Sequence, residues 1–409
     1  MRVLLNDGMD YEGLEVFHNA GIETDTKKRD IGALVKEIGG FDGLVVRSAT
    51  NVTREVIEAG YKGNLIIIGR AGVGFDNIDV AAASKYGFVV KNAPRGNSNA
   101  TAELALTLML SVSRNVPQAH YSLVNGVWRK KEFQGTELSH KTLGIIGCGR
   151  IGKRLSELVI GFDMEVIGYD PFPKHQDSRI RHLGTIDEVL HRADYISIHA
   201  DGNGKPIIGE REISMMKPRA YLINASRGQN VDEGALYMAL STGKLAGAAL
   251  DVYMEEPRED GAFTNRLREL PNVVMTSHLG ASTIEAQKKT SIEMAQTIVA
   301  YLRGDYTNAV NVGETVQAER RQTYPIVVFH QDVPGAFQRI SEVLAAAGIN
   351  IRENPSRRID VNGVSNGDVN TVYSVHQPPG QGVLDALESL PMVHRARSPQ
   401  MTRNTSYSP

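Results

Sequence analysis

The chain has 409 residues, 41% of them hydrophobic and 22% charged, enough apolar content for two or three cored domains. Its formal net charge of −2 offers no positive field to a polyphosphate backbone or an anionic membrane surface, so nucleic acid is not an expected partner. One cysteine allows no internal disulfide and no cysteine metal cluster, and Met1-Arg2-Val3-Leu4-Leu5-Asn6-Asp7 reaches an acidic residue before any signal-type apolar stretch; the expectation is a cytoplasmic protein without a membrane segment.

Short apolar runs ending at Gly, Asp or Asn alternate with helical periodicity, which predicts an α/β protein built on parallel sheets. Val3-Leu4-Leu5-Asn6, Gly43-Leu44-Val45-Val46 and Leu65-Ile66-Ile67-Ile68 read as buried strands of a first, smaller unit. From about Ala102 the apolar run is too long for a strand and predicts an interdomain helix. Strands restart at 141–147, 164–170, 194–199, 221–225, 246–252 and 272–276, the complement of a doubly wound Rossmann sheet. Residues 284–302 predict a helix returning to the first unit, followed by a polar linker over 312–322. From Tyr324 a strand, a helix opened by Val333-Pro334-Gly335 and running through Ala347, and a strand over 371–376 predict a small α+β module. The last dozen residues carry no apolar period and read as a flexible tail.

The first of the restarted strands runs into Gly147-Cys148-Gly149-Arg150-Ile151-Gly152, which opens a helix. Glycines permit the tight turn and the close approach of backbone to a pyrophosphate, and the helix N-terminus presents unpaired N–H groups to it. The next strand ends at Asp170, where a carboxylate would accept from the adenosine ribose and repel a 2′-phosphate, so NAD is expected rather than NADP. Cys148, between the glycines, reads as a small tolerated residue.

Arg227, Glu256 and His278 each follow the carboxyl end of a predicted strand, where open α/β sheets bind ligands. Hydride transfer to a 2-oxo acid builds negative charge on the carbonyl oxygen, which needs a proton donor and a fixed positive charge. His278 suits the proton, Arg227 a bidentate grip on the substrate carboxylate, and Glu256 the support of an imidazolium. Taken singly, the three read equally as a surface arginine, a glutamate beside a proline turn and a histidine ending a strand. No ligand spacing predicts a metal; His175, His182 and His191 are scattered over a polar stretch.

Asn224-Ala225-Ser226-Arg227-Gly228, Asp251-Val252-Tyr253-Met254-Glu255-Glu256-Pro257 and Ser277-His278-Leu279-Gly280-Ala281-Ser282-Thr283, with the run from Arg70 to Asp79 and Asn92-Ala93-Pro94, resemble signatures of the D-isomer-specific 2-hydroxyacid dehydrogenases over roughly the first 310 residues. The resemblance implies Arg227, Glu256 and His278 as the catalytic set. It implies NAD contacts at Gly147, Gly149, Arg150, Ile151, Gly152, Asp170, Ala225, Ser226, Arg227, Asp251, His278, Leu279, Gly280 and Ala281, and substrate contacts at Gly72 and Val73. It further implies a flavodoxin-like substrate domain from 1–98 and 284–316 around an NAD domain over 99–283.

A phosphorylated substrate needs further donors, and Val46-Arg47-Ser48-Ala49-Thr50 places an arginine and two hydroxyls after a strand. Arg47 and Ser48 resemble the segment that holds phosphate in the family members that oxidise D-3-phosphoglycerate. The other reading is an exposed arginine with Thr50 or Thr53 capping a helix. Over 324–397, His330-Gln331-Asp332-Val333-Pro334-Gly335 and Ala347-Gly348-Ile349-Asn350-Ile351 resemble an ACT domain, which implies an amino-acid effector, L-serine, held by His330 and Asn350 between paired copies. Asp332 and the long polar stretch 354–370 depart from that pattern, so a purely oligomerising pair stays open. The segment Ala200-Asp201-Gly202-Asn203-Gly204-Lys205-Pro206 is shorter than the common family loop, and its geometry is expected to differ. A homodimer or homotetramer is implied. The alternatives are another small-molecule substrate (2-hydroxyglutarate, hydroxypyruvate, glyoxylate or lactate) and an NAD-sensing corepressor on the same scaffold.

Overall fold

The computed structural model describes residues 1–172, 177–202, 204–257, 261–312, 324–354, 356–361 and 364–398; the expected linker past 312, the tail from 399 and His175 lie outside them. The chain divides into two compact units, Met1–Gly96 with Lys288–Pro409, and Asn97–Gln287.

The first unit opens with β1 (Arg2–Leu5), α1 (Tyr11–Asn19), β2 (Glu23–Asp25), α2 (Ile31–Glu37), β3 (Gly43–Val46), α3 (Arg54–Tyr61), β4 (Ile67–Arg70), α4 (Val80–Lys85) and β5 (Val89–Asn92). These five strands pair in parallel in the order β2-β1-β3-β4-β5, the flavodoxin-like arrangement. Its central strands are covered on both faces, which is why they read as unbroken apolar runs. β2 and β5 were not anticipated. The first is a three-residue edge strand of Glu, Thr and Asp, and the second carries a lysine. Lys91 is nonetheless fully buried: its Nζ donates to the carbonyls of Asp305 (2.6 Å) and Thr297 (3.3 Å), and burial pushes the ammonium down to about 8.

The second unit contains α5 (Ser98–Arg114), α6 (Val116–Val124), β6 (Thr142–Ile146), α7 (Arg150–Leu158), β7 (Glu165–Tyr169), β8 (Arg181–His182), α8 (Ile186–Arg192), β9 (Tyr195–Ile198), α9 (Glu210–Met215), β10 (Ala220–Asn224), α10 (Glu233–Ser241), β11 (Leu245–Leu250) and β12 (Val273–Met275). The helix expected from about Ala102 is α5, begun four residues earlier than its apolar run and contained in the second unit. The parallel sheet runs β12-β11-β10-β9-β6-β7-β8, so the strand order reverses at β6 and opens a crevice at its carboxyl end. Its seventh strand, β8, has two residues and no sequence signature.

The returning helix α11 (Ile284–Leu302) spans the predicted residues. Beyond it the small module comprises β13 (Tyr324–Gln331), α12 (Ala336–Ala346), β14 (Ile351–Glu353), β15 (Ser356–Val361), β16 (Val364–Val375), α13 (Gln381–Glu388) and β17 (Val393–Arg397), an antiparallel sheet with two helices. The expected strand 371–376 is the end of the much longer β16. Alternation along β13 serves two cores at once. Ile326 and Val328 pack with Ile340, Leu344 and Leu384 on the module's own helices. Val327 and Phe329, with Val372, join Val3, Leu5, Met294, Tyr301 and Tyr306. A dry layer, reinforced by Arg397 over the Phe88 ring and donating to the Leu65 carbonyl, therefore seats the module on the first sheet.

Candidate active site

The glycine turn between β6 and α7 divides its duties. Gly147 has φ +90°, and a Cβ there would lie 2.8 Å from the His199 backbone; a Cβ on Gly152 would meet the Gly147 carbonyl at 2.5 Å. Gly149, the N-cap of α7, faces open space, where a phosphate can approach backbone. Arg150 and Ile151 begin the helix. Asp170 follows β7 and reaches back to this turn, accepting from the N–H of Cys148 (2.9 Å) and of Phe172 (2.8 Å), so the expected ribose acceptor is oriented by the loop it serves. Burial pushes the Cys148 thiol up to about 12, which makes it inert packing.

Arg227, Glu256 and His278 follow β10, β11 and β12, neighbours in the sheet, and the loops that carry them are tied together. His278 Nδ1 lies 2.7 Å from Glu256 Oε2, whose other oxygen accepts from the N–H of Tyr253 (3.0 Å). The Glu256 hydrogen bond raises the pKa of His278 above the ordinary histidine value, against the pull of burial. Burial opposes ionisation of Glu256, yet the His278 hydrogen bond and charge outweigh it and lower its pKa. With Nδ1 held, proton exchange falls to Nε2. His278 has φ 56°, a conformation a histidine adopts only under constraint. That constraint is Asp251, which is buried: its carboxylate accepts from Thr276 Oγ1 (2.6 Å) and the N–H groups of Leu279 (2.7 Å) and Gly280 (2.9 Å), while its carbonyl accepts from the N–H of His278 (2.9 Å). Ala281 closes the same turn, its carbonyl accepting from Gln287 Nε2.

Arg227 is fixed from its own side. Asn224 Oδ1 accepts from the N–H and hydroxyl of Ser226, and Asn224 Nδ2 donates to the Arg227 carbonyl (2.9 Å). Ala225 and Ser226 are buried in this turn. A Cβ on Gly228 would fall 1.8 Å from the Tyr253 carbonyl oxygen, so the Arg227 turn and the Glu256 loop touch backbone to backbone. The Tyr253 hydroxyl donates toward the carbonyls of Leu250 (3.0 Å) and Thr276 (2.9 Å), joining the β11 and β12 ends. The other strand-end histidine, His199, is pushed down to about 4 by burial. Asn224, Gly228 and Tyr253 stand inside the signature segments without a role of their own having been read from sequence, and Asn230 was not noticed, because hydrogen bonds to a neighbouring loop are not visible in residue type or spacing.

The remaining candidates lie in the first unit. The backbone N–H of Arg47 donates to Asp7 (2.7 Å) and its carbonyl accepts from Asn77 (2.7 Å), so the loop after β3 is held by its main chain. Ser48 is exposed, whereas the Thr50 hydroxyl is buried, donating to Asp7 (2.6 Å) and accepting from Asn6 (2.9 Å). Of the two hydroxyls expected there, only that of Ser48 faces solvent, and Thr50 caps no helix. Gly72 and Val73 form a second loop, their carbonyls accepting from the N–H of Ala93 (3.0 Å) and from Asn92 Nδ2 (2.7 Å). In the small module His330 is buried, with Nδ1 against the Gln331 carbonyl (2.9 Å) and Nε2 against Thr371 Oγ1 (3.0 Å). Asn350 is exposed and sits by His376, at the other end of the sheet. Among the described residues no group of three His, Cys, Asp or Glu is placed to hold a metal ion.

Residues 106–280 match the family described as D-isomer specific 2-hydroxyacid dehydrogenase, NAD binding domain, and residues 326–391 match the ACT domain. The hydroxypyruvate reductase of Thermotoga maritima is 40% identical over 73% of this chain and 97% of its own length. The chain belongs to the D-isomer specific 2-hydroxyacid dehydrogenases. The D-3-phosphoglycerate dehydrogenase of Methanocaldococcus jannaschii is 42% identical over 80% of this chain but 63% of its own length, so the chain spans about three-fifths of that relative. The structure of D-2-hydroxyisocaproate dehydrogenase is 29% identical, covering 76% of this chain and 99% of its own, with a TM-score of 0.66.

Proposed function

We propose that this dehydrogenase oxidises the 2-hydroxyl of D-3-phosphoglycerate to give 3-phosphohydroxypyruvate. The observation that carries the chemistry is the 2.7 Å His278–Glu256 pair on the loop packed against Arg227. NAD, held by the glycine turn and Asp170, supplies the hydride acceptor. His278 Nε2 takes the hydroxyl proton, and Glu256 stabilises the resulting imidazolium. Arg227 grips the carboxylate and polarises the C2 oxygen. Arg47 and Ser48 take the phosphate, with Gly72 and Val73 beside the substrate. The phosphorylated substrate is favoured by the phosphoglycerate dehydrogenase relatives together with the C-terminal ACT domain. Hydroxypyruvate is the second candidate, because the relative covered almost end to end reduces it by name.

An amino-acid effector, L-serine first, would be shared between two copies. His330 pairs with Val369 and Asn350 adjoins the strand that pairs with Val375, six residues away along β16, about 20 Å at the rise of a strand. Self-association is supported by the exposed apolar strip of α6 and the following loop, Tyr121, Leu123, Val124 and Trp128. No helix among the described residues is long and apolar enough to cross a membrane, and the cytoplasm is the compartment this reading assigns.

The test mixes protein, NAD and D-3-phosphoglycerate with hydrazine to trap the oxo product, and follows NADH absorbance with and without L-serine. Turnover lost in His278→Ala supports the scheme, with a loss of about 10²–10⁴-fold. Turnover of hydroxypyruvate with NADH, and none of D-3-phosphoglycerate, moves the assignment to the second candidate.

A further inference from the structure

The loop after β9 departs from the family pattern, and the structure shows where that departure lands. Asn230 belongs to the turn that follows Arg227 and is fully buried. Its N–H donates to the Arg227 carbonyl (3.1 Å), and its Nδ2 donates to Ser226 Oγ (3.0 Å) and across to the Ala200 carbonyl (2.7 Å). Gly202 rests on the same side chain: it has φ +76°, and a Cβ there would come within 2.2 Å of Asn230 Oδ1. Both neighbours of Asp201 are thus seated on the turn that carries Arg227. The Asp201 backbone is thereby set beside Arg227, and its Oδ1 lies 3.5 Å from Arg227 Nη2, while Nη1 of the same guanidinium donates to the Ser226 carbonyl (2.9 Å).

We propose that Asp201 is a specificity-determining residue that competes with the substrate carboxylate for Arg227. The proposal rests on the reading of Arg227 as the carboxylate receiver. Asp201 lies against one edge of the guanidinium and offsets its charge, so a 2-hydroxy or 2-oxo acid must displace it to bind. The Asp201 side chain is 81% exposed, so it can swing into water without breaking the fold. An ion pair this exposed is worth up to about fivefold in a binding equilibrium and is screened by salt. The carboxylate therefore loses up to about that factor in affinity to the chain's own aspartate. The negative charge also disfavours ligands with a second anionic group at the carboxylate end, such as oxalate, more than monocarboxylates.

Asp201→Asn keeps shape and removes charge, and Asn230 continues to hold both flanking residues. Steady-state kinetics with D-3-phosphoglycerate and NAD at low and high salt are run on the wild type, Asp201→Asn and Arg227→Gln, with calorimetric titration of oxalate into each protein–NADH complex. The expected result for Asp201→Asn is a KM lowered by about two- to fivefold at low salt, kcat held, the gain shrinking at high salt, and oxalate bound more tightly. A KM unchanged or raised in Asp201→Asn, or a fall in kcat alone, overturns the competition. If Arg227→Gln leaves KM and oxalate affinity untouched, the reading of Arg227 fails instead. If Arg227→Gln weakens both while Asp201→Asn moves neither, only the role of Asp201 is lost.

Discussion

Gly228→Ala tests the idea that backbone contact between two loops sets the catalytic geometry. A Cβ at 228 would stand 1.8 Å from the Tyr253 carbonyl oxygen and 1.9 Å from its carbon, whereas ordinary contact begins at 3.4 Å, so the backbones must part by about 1.6 Å. The neighbouring atoms are main chain and cannot turn aside as a side-chain end would. The Tyr253 N–H that anchors Glu256 moves with them, and Glu256 carries His278. A misplacement of about 1 Å costs on the order of 10²-fold in rate, so kcat is expected to fall by about that factor. Dinucleotide binding should weaken but persist, because the parted turn carries the expected contacts at Ala225, Ser226 and Arg227 while the glycine turn from Gly147 is not involved. The assay is kcat from NADH absorbance, with circular dichroism and NADH fluorescence to establish folding and cofactor binding. Gly161→Ala, whose Cβ would meet nothing within 4 Å, serves as the control. A folded Gly228→Ala protein with wild-type kcat would falsify the argument.

Glu256→Gln removes the carboxylate that raises the His278 pKa. With His278 as the proposed proton acceptor, oxidation needs the neutral form and rises with pH through that pKa, so its acid limb should move to lower pH in the variant. Reduction needs the protonated form and should fade at lower pH than in the wild type; pH–rate profiles in both directions that match the wild type would refute the pairing. Phe329→Ala opens the layer between the small module and the first sheet, where Phe329 is 1% exposed, and should cost about 3–5 kcal/mol in urea unfolding. A loss below about 1 kcal/mol would mean that the module is hung on its linker rather than packed. Trp128→Asp, at a side chain 78% exposed, should shift the mass measured by light scattering toward the monomer; an unchanged assembly would move the interface elsewhere.

The parts of the fold that could be read from sequence were those whose signal is local. A buried parallel strand such as β3 is a continuous apolar run because helices cover both faces, the run Leu65–Ile68 located β4 two residues early because that strand ends in Gly69 and Arg70, and the glycine turn is recognisable because only glycine tolerates φ +90° and the contacts at Gly147 and Gly152. β2, β8 and β14 escaped notice because two or three residues at a sheet edge carry no period. β5 escaped because its lysine is buried by carbonyl partners more than two hundred residues away. The double use of β13 was equally hidden. Alternate residues serving two cores look the same as one strand buried in a single core.

Sequence by itself determined the α/β class and the glycine turn between a strand and a helix, and it marked Asp170, Arg227, Glu256 and His278 as candidates because each stands at a strand end. Tertiary structure decided what those residues meet. It set the 2.7 Å pairing of His278 with Glu256, the Asp251 clamp behind the strained histidine, the internal partners of His330 and the position of Asp201 against Arg227. These depend on hydrogen-bond geometry between loops that are distant in the chain, and residue spacing along the chain does not encode such geometry.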